Sequence, residues 1–132
     1  MNNLLPIGIL SNYQIYHDIG KPLCKTYDEN GNYHFYDHAK ISAEKYLKDT
    51  KDKLISLLIL NDMNIHTFKA SEIEKMIKEI PELTISLLIT GLAEIHANAD
   101  MFGGLDSIGF KIKYKQINQR GKQILKLLNG GL

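Results

Sequence analysis

The sequence predicts an all-α fold, about six helices in one domain spanning residues 1–132. Three observations carry that reading. Apolar residues recur at helical spacing through most of the chain; no alternation of period two lasts more than a few residues, apart from FKIKY (Phe110–Tyr114); and residues that start or stop helices stand where the periodic segments begin and end. At 132 residues a chain buries a proper core without staples.

The elements follow in order. Leu4 to Asp18 is apolar-rich (Leu4, Leu5, Ile7, Ile9, Leu10, Ile15, Tyr16), with Pro6 tolerated in the first turn, and predicts a helix ending in His17-Asp18. Gly20 and Pro22 stop it. The density of Gly, Pro, Asn and Asp from Ile19 to Asp37 predicts a loop, with Asp28-Glu29-Asn30-Gly31 as a turn because Asn and Gly tolerate positive φ. The tract Tyr33-His34-Phe35-Tyr36 has the makings of a short extended segment, but its weight of aromatics suits packing over a site. Asp37 then reads as the N-cap of a helix through Leu47. A second pattern runs from Lys51 to about Ile65, its LISLLILN core apolar nearly all round and therefore buried. Ser71 with Glu74 three residues later has the spacing of a capping box, ahead of an apolar face at Ile73, Met76, Ile77 and Ile80. Pro81 opens the longest pattern, to Phe102, expected as the central helix and ended by Gly103-Gly104. A last amphipathic helix runs from about Ile112 to Leu128, before Gly130-Gly131.

Composition narrows the function classes. With 44% hydrophobic and 23% charged residues and a net charge of +1, the chain is neither a strongly basic nucleic-acid coat nor a disordered acidic segment. A single cysteine, Cys24, excludes an internal disulfide framework and fits a reducing, cytoplasmic setting. No apolar run approaches the roughly 20 residues that span a bilayer, and the N-terminal stretch lacks the positive region and cleavage site of a signal peptide. A cytoplasmic protein with no membrane partner is expected.

The chemistry concentrates between Tyr16 and Lys48, where the adjacent His17-Asp18 pair is followed by His34 and His38. Imidazole beside carboxylate is a mixed ligand set suited to Mn, Fe, Ni or Zn. HDIGKP (His17–Pro22), then a polar turn, then HFYDHAKISAEKYL (His34–Leu47) resembles the HD-domain metal-dependent phosphohydrolases. In pattern it is similar to the HD domain of bacterial CCA-adding tRNA nucleotidyltransferases and to phage-type HD proteins of RNA end repair. LILNDM (Leu58–Met63) and AEIHANADMF (Ala93–Phe102) stand at the family's third and fourth motifs, so the likeness covers roughly residues 9 to 102.

The resemblance implies an HD-type helical domain and a divalent metal (Mn, Ni, Fe, Mg or Co) held by His17, Asp18, Asp62 and Asp100. It implies catalytic roles for Asp18, Lys21 and His38, and phosphate contacts from Lys21, His34 and His38. The implied reaction is hydrolysis of a nucleotide or RNA-end phosphoester: cyclic phosphodiesterase, nucleotidase or phosphatase work. Two departures stand out. None of the sixteen residues before His17 is histidine, where the family carries one on a preceding helix, and Asp62 replaces the histidine of the third motif. These departures keep an alternative open, a catalytically degenerate HD-like module that binds nucleotide or protein. His66 and His96 read as structural histidines. Beyond Met101, Lys111, Lys113, Lys115, Arg120, Lys122 and Lys126 face one acid, Asp106, which is either a solvated helix face or a basic rim for weak nucleic-acid contact. The oligomeric state, a dimer included, stays open.

Overall fold

The computed structural model describes residues 4–130 and is all-α: 72% of it is helical, six of its helices run eight residues or more, and the only sheet among the described residues is a small two-stranded one. Gly131, the second glycine of the expected C-terminal stop, lies outside the described residues. Among these residues no helix is long and apolar enough to cross a membrane. The contacts divide the chain into two units, Pro6–Met63 and Asn64–Leu132, with Leu4 and Leu5 belonging to the second.

The first unit contains α1 (Ile7–Tyr16), the single turn α2 (Lys21–Cys24), a hairpin of β1 (Lys25–Tyr27) and β2 (Tyr33–Phe35), α3 (His38–Thr50) and α4 (Lys53–Leu60). α3 and α4 pack closely because small residues line their contact: Ser42, Ala43 and Ser56 are all buried, and the Ser56 hydroxyl donates to the Ala43 carbonyl at 2.8 Å. Asp52 starts α4 as its N-cap, its carboxylate accepting from the Ile55 amide at 3.1 Å. α1 packs on α4 and contributes Leu10 and Tyr13 to the interior, while Tyr16 meets the Tyr46 ring of α3 at 5.3 Å between centroids.

The turn after α1 is fixed to α3 at Gly20. Its amide donates to the buried Ser42 hydroxyl at 2.8 Å, and a β-carbon at this position would lie 2.6 Å from the Ser42 nitrogen. Only glycine allows that approach. The approach brings the segment carrying Asp18 and Lys21 against the start of α3.

The second unit contains the turn α5 (Asn64–Thr67), α6 (Ala70–Glu79), α7 (Pro81–Ala97), a 3-10 turn (Ala99–Phe102) and α8 (Ile108–Leu128). Its core joins Ile65 of α5, Ile73 and Met76 of α6, Leu83, Leu87 and Ile95 of α7, and Ile117 and Ile124 of α8, all buried. Each fully buried aliphatic side chain of this kind contributes about 1.5–3 kcal/mol by leaving water. α7 and α8 cross where Gly121 faces Leu88, and Arg120 clamps the end of α5, its guanidinium donating to the carbonyls of Phe68 (2.8 Å) and Ile65 (3.0 Å).

The element boundaries depart from the sequence reading in several places. α1 covers Ile7–Tyr16 rather than Leu4 to Asp18, so His17 and Asp18 lie just beyond it, and α3 runs on to Thr50 rather than Leu47. The expected loop from Ile19 to Asp37 holds α2 and the hairpin. The pattern from Lys51 to Ile65 breaks after Leu60 into α4 and α5. α6 is capped at Lys69 rather than Ser71, and Glu72 rather than Glu74 accepts from the cap amide at 3.1 Å. The central helix stops at Ala97, leaving the rest of that pattern in the 3-10 turn. The last helix starts four residues early because the Ser107 hydroxyl accepts from the Phe110 amide at 3.1 Å. Asp37 does occupy the N-cap of α3, with φ 57° and no side-chain bond to the helix.

Candidate functional site

Within the first unit, Asp18 is ringed by three of the residues singled out from the sequence. Its Oδ2 lies 3.0 Å from Lys21 Nζ and 3.3 Å from His17 Nε2, and its Oδ1 lies 3.6 Å from His38 Nε2. Each neighbour comes from a different local structure. His17 follows the last residue of α1, Lys21 is the first residue of α2, and His38 is the first residue of α3. The Gly20–Ser42 bond holds the last two together.

Both imidazoles are oriented by the main chain. His17 Nδ1 lies 2.6 Å from the Gln14 carbonyl oxygen and His38 Nδ1 lies 3.2 Å from that of Phe35. A carbonyl oxygen only accepts, so each Nδ1 carries the proton, and a neutral ring then has its lone pair on Nε2. Both lone pairs face oxygens of one carboxylate. Such a meeting of acceptors is repulsive unless a cation lies among them: the Lys21 ammonium beside the same carboxylate, a second ring proton, or a metal. Tying the far nitrogen of a ligating histidine to a carbonyl is also how proteins orient imidazoles for metals. The separations of 3.3 and 3.6 Å are close to the edge of a tetrahedron with bonds of about 2.0–2.1 Å, roughly 3.3 Å. The donor set therefore fits a divalent cation.

Asp62, singled out from the sequence as a candidate ligand, is buried at 5% exposure although it follows the end of α4. Its Oδ1 accepts from the Tyr13 hydroxyl, and His17 and Asp62 offer ligand atoms within 4.8 Å of each other. Tyr13 also meets the His17 ring edge-on, at 6.2 Å and 72°. The sequence reading passed over Tyr13 and Ser42. Tyr13 stands four residues before His17 on one helix face, a signal available in the sequence; the role of Ser42 arises only from tertiary packing.

His34 is held elsewhere. On β2 it points to the hairpin face opposite Phe35, with Nε2 3.0 Å from Asp28 Oδ2 and its ring stacked on Tyr36 at 5.2 Å. That contact, with main-chain amides of Asn32 and Asn30 assisting, holds the Asp28 carboxyl below its usual range.

In the second unit, Asp100 is exposed in the 3-10 turn. His66 Nε2 lies 3.1 Å from Glu94 Oε2, and both side chains are largely covered, a pair the sequence did not suggest. His96 bonds the Leu92 carbonyl and packs edge-on against Phe110 and Tyr114, a structural setting. Arg120, one of the six cations of the expected basic rim, is committed to the α5 carbonyls. No family model, curated protein or solved structure matches the chain.

Proposed function

We propose that the cluster around Asp18 binds a divalent cation and hydrolyses a phosphoester of a nucleotide or an RNA end. The observation that carries this reading is the pair of Nδ1-anchored imidazoles turned toward a single carboxylate. A bound divalent cation would lower the pKa of water and neutralise phosphoryl charge. His17 and Asp18 are assigned as ligands, with Asp62 close to His17; a ligand role for Asp100 rests on the resemblance alone. Hydrolysis forms a bond from water oxygen to phosphorus and breaks the ester bond, whose oxygen leaves with a proton. Lys21 is assigned to the phosphate oxygens, as the resemblance implies, and His38, with Nδ1 tied to Phe35, would carry a proton at Nε2.

Lys21 also favours a second reading, the degenerate binding module. Its ammonium already neutralises the same Asp18 oxygen that faces His17. The test is hydrolysis of bis-p-nitrophenyl phosphate and of 2′,3′-cyclic nucleotides in Mn, Ni, Mg or Co. The hydrolase reading expects turnover that a chelator abolishes and that Asp18→Asn lowers beyond the 10- to 100-fold typical of losing a residue that only orients a ligand. Turnover absent with every metal supports the module instead, and turnover unchanged in that variant overturns the assignment of the chemistry to this cluster.

A further inference from the structure

The hairpin beyond Lys21 has one aromatic face. In its antiparallel register Lys25 pairs with Phe35 and Tyr27 with Tyr33, so these four side chains share a face, while Thr26 and His34 occupy the other. Tyr33 meets Tyr27 at 6.4 Å and Phe35 at 5.6 Å, both edge-to-face. Cations are interleaved with the rings. Lys25 Nζ sits 4.6 Å from the Tyr33 centroid and 5.5 Å from that of Tyr27, and Lys21 Nζ sits 5.5 Å from that of Phe35. Tyr27 and Tyr33 are 67% and 59% exposed, so these rings cover no core. The face ends at Lys21, which is also 3.0 Å from Asp18.

From this arrangement we infer that the hairpin is a stacking platform for the unpaired bases of a single-stranded nucleic acid. Exposed aromatic rings alternating with lysines match the two recurring features of a strand whose bases are unstacked: π-faces, and phosphates between them. The acids of the hairpin lie at its turn. Asp28 is already engaged, its Oδ1 accepting the amides of Asn30 and Asn32 and its Oδ2 facing His34. The strand therefore runs from the tyrosines toward Lys21, away from Glu29. The proposal supplies the substrate class of the phosphohydrolase reading and rests on that reading for which phosphate reaches Lys21, but base stacking needs no metal.

The test is fluorescence anisotropy of end-labelled octauridylate, octathymidylate and an eight-base-pair duplex with the full chain in EDTA. Single strands are expected to bind more tightly than duplex, and a preference between the two single strands reports the sugar together with the C5-methyl group of thymine. Tyr27→Ala and Tyr33→Ala each weaken binding on the order of tenfold, whereas Tyr27→Phe, which keeps the ring, restores it. Lys25→Ala lowers the dependence on salt by about one ion. Circular dichroism of the alanine variants shows the helices intact. Equal affinity for duplex, or alanine variants that bind like the wild type, overturns the platform. So does a dimer that only the tyrosine variants disrupt while oligonucleotides fail to bind. Tyrosine-dependent binding without hydrolysis in any metal sinks the phosphohydrolase reading alone, and hydrolysis of cyclic nucleotides with tyrosine-independent strand binding sinks the platform alone.

Discussion

Asp18 draws two of its three neighbours from a short stretch of sequence, because His17, Lys21 and the turn between them join the end of α1 to the start of α2. That part of the site was legible in HDIGKP, and His38 in the motif that follows. Asp62 was legible as a motif position, but its burial and its Tyr13 hydroxyl partner were not, since both depend on α1 lying against α4. His34 shows the opposite limit. Its motif suggests a phosphate contact, while the alternation of side chains along β2 turns it to the face where Asp28 holds it. This pairing has a pH consequence. A carboxyl whose folded pKa is depressed lends stability that is present above its unfolded pKa and lost as pH falls through the folded value. The order of the hairpin turn should therefore persist at neutral pH and fade only under acid conditions. By NMR, the Asp28 carboxyl should titrate below 3.8, and His34→Ala should move its midpoint upward. A midpoint that His34→Ala leaves unmoved would show that the pairing is not its cause.

At the scale of elements, five of the six long helices were legible because burial imposes the 3.6-residue period on α3, α6 and α8 and near-continuous apolarity on α4 and α7. The sixth, α1, was legible from its apolar content, although only Leu10 and Tyr13 of it are buried. The hairpin was legible only at its second strand and its turn. Each strand has three residues, too few for a period of two to show, and most of its side chains are exposed, so burial imposes no alternation. The helix starts at Lys69 and Ser107 were misplaced for another reason: several polar residues near each start can cap, and tertiary packing selects one. The closest approach between elements, Gly20 against α3, gives a sharp prediction. Gly20→Ala forces a β-carbon toward the backbone at Ile41 and Ser42 and should destabilise the fold by about 1–3 kcal/mol in urea titrations. It should also cost turnover in the folded fraction, because the same contact sets Asp18 and Lys21 against His38. Wild-type stability in this variant would mean that the turn does not pack on α3 as described.

For the molecule as a whole, the fold class followed from periodicity alone, whereas the division at Met63–Asn64 did not. No composition shift, linker or charge run marks it, and what separates the units is the pattern of long-range contacts, which sequence spacing does not encode. Function depends on whether the groups gathered at Asp18 take up a cation as the folded protein. A ligand that binds only the native state stabilises it by about 2.7 kcal/mol at a hundredfold excess over its Kd, so metal uptake should raise the unfolding temperature of the unit that holds the cluster. Calorimetric titration of the metal-free chain with Mn at neutral pH, wild type beside Asp18→Asn, is the most direct measurement. The account predicts saturable binding that the variant loses while its helical content and urea midpoint stay close to wild type. Binding that survives Asp18→Asn unchanged, or no uptake by the wild type, would contradict it.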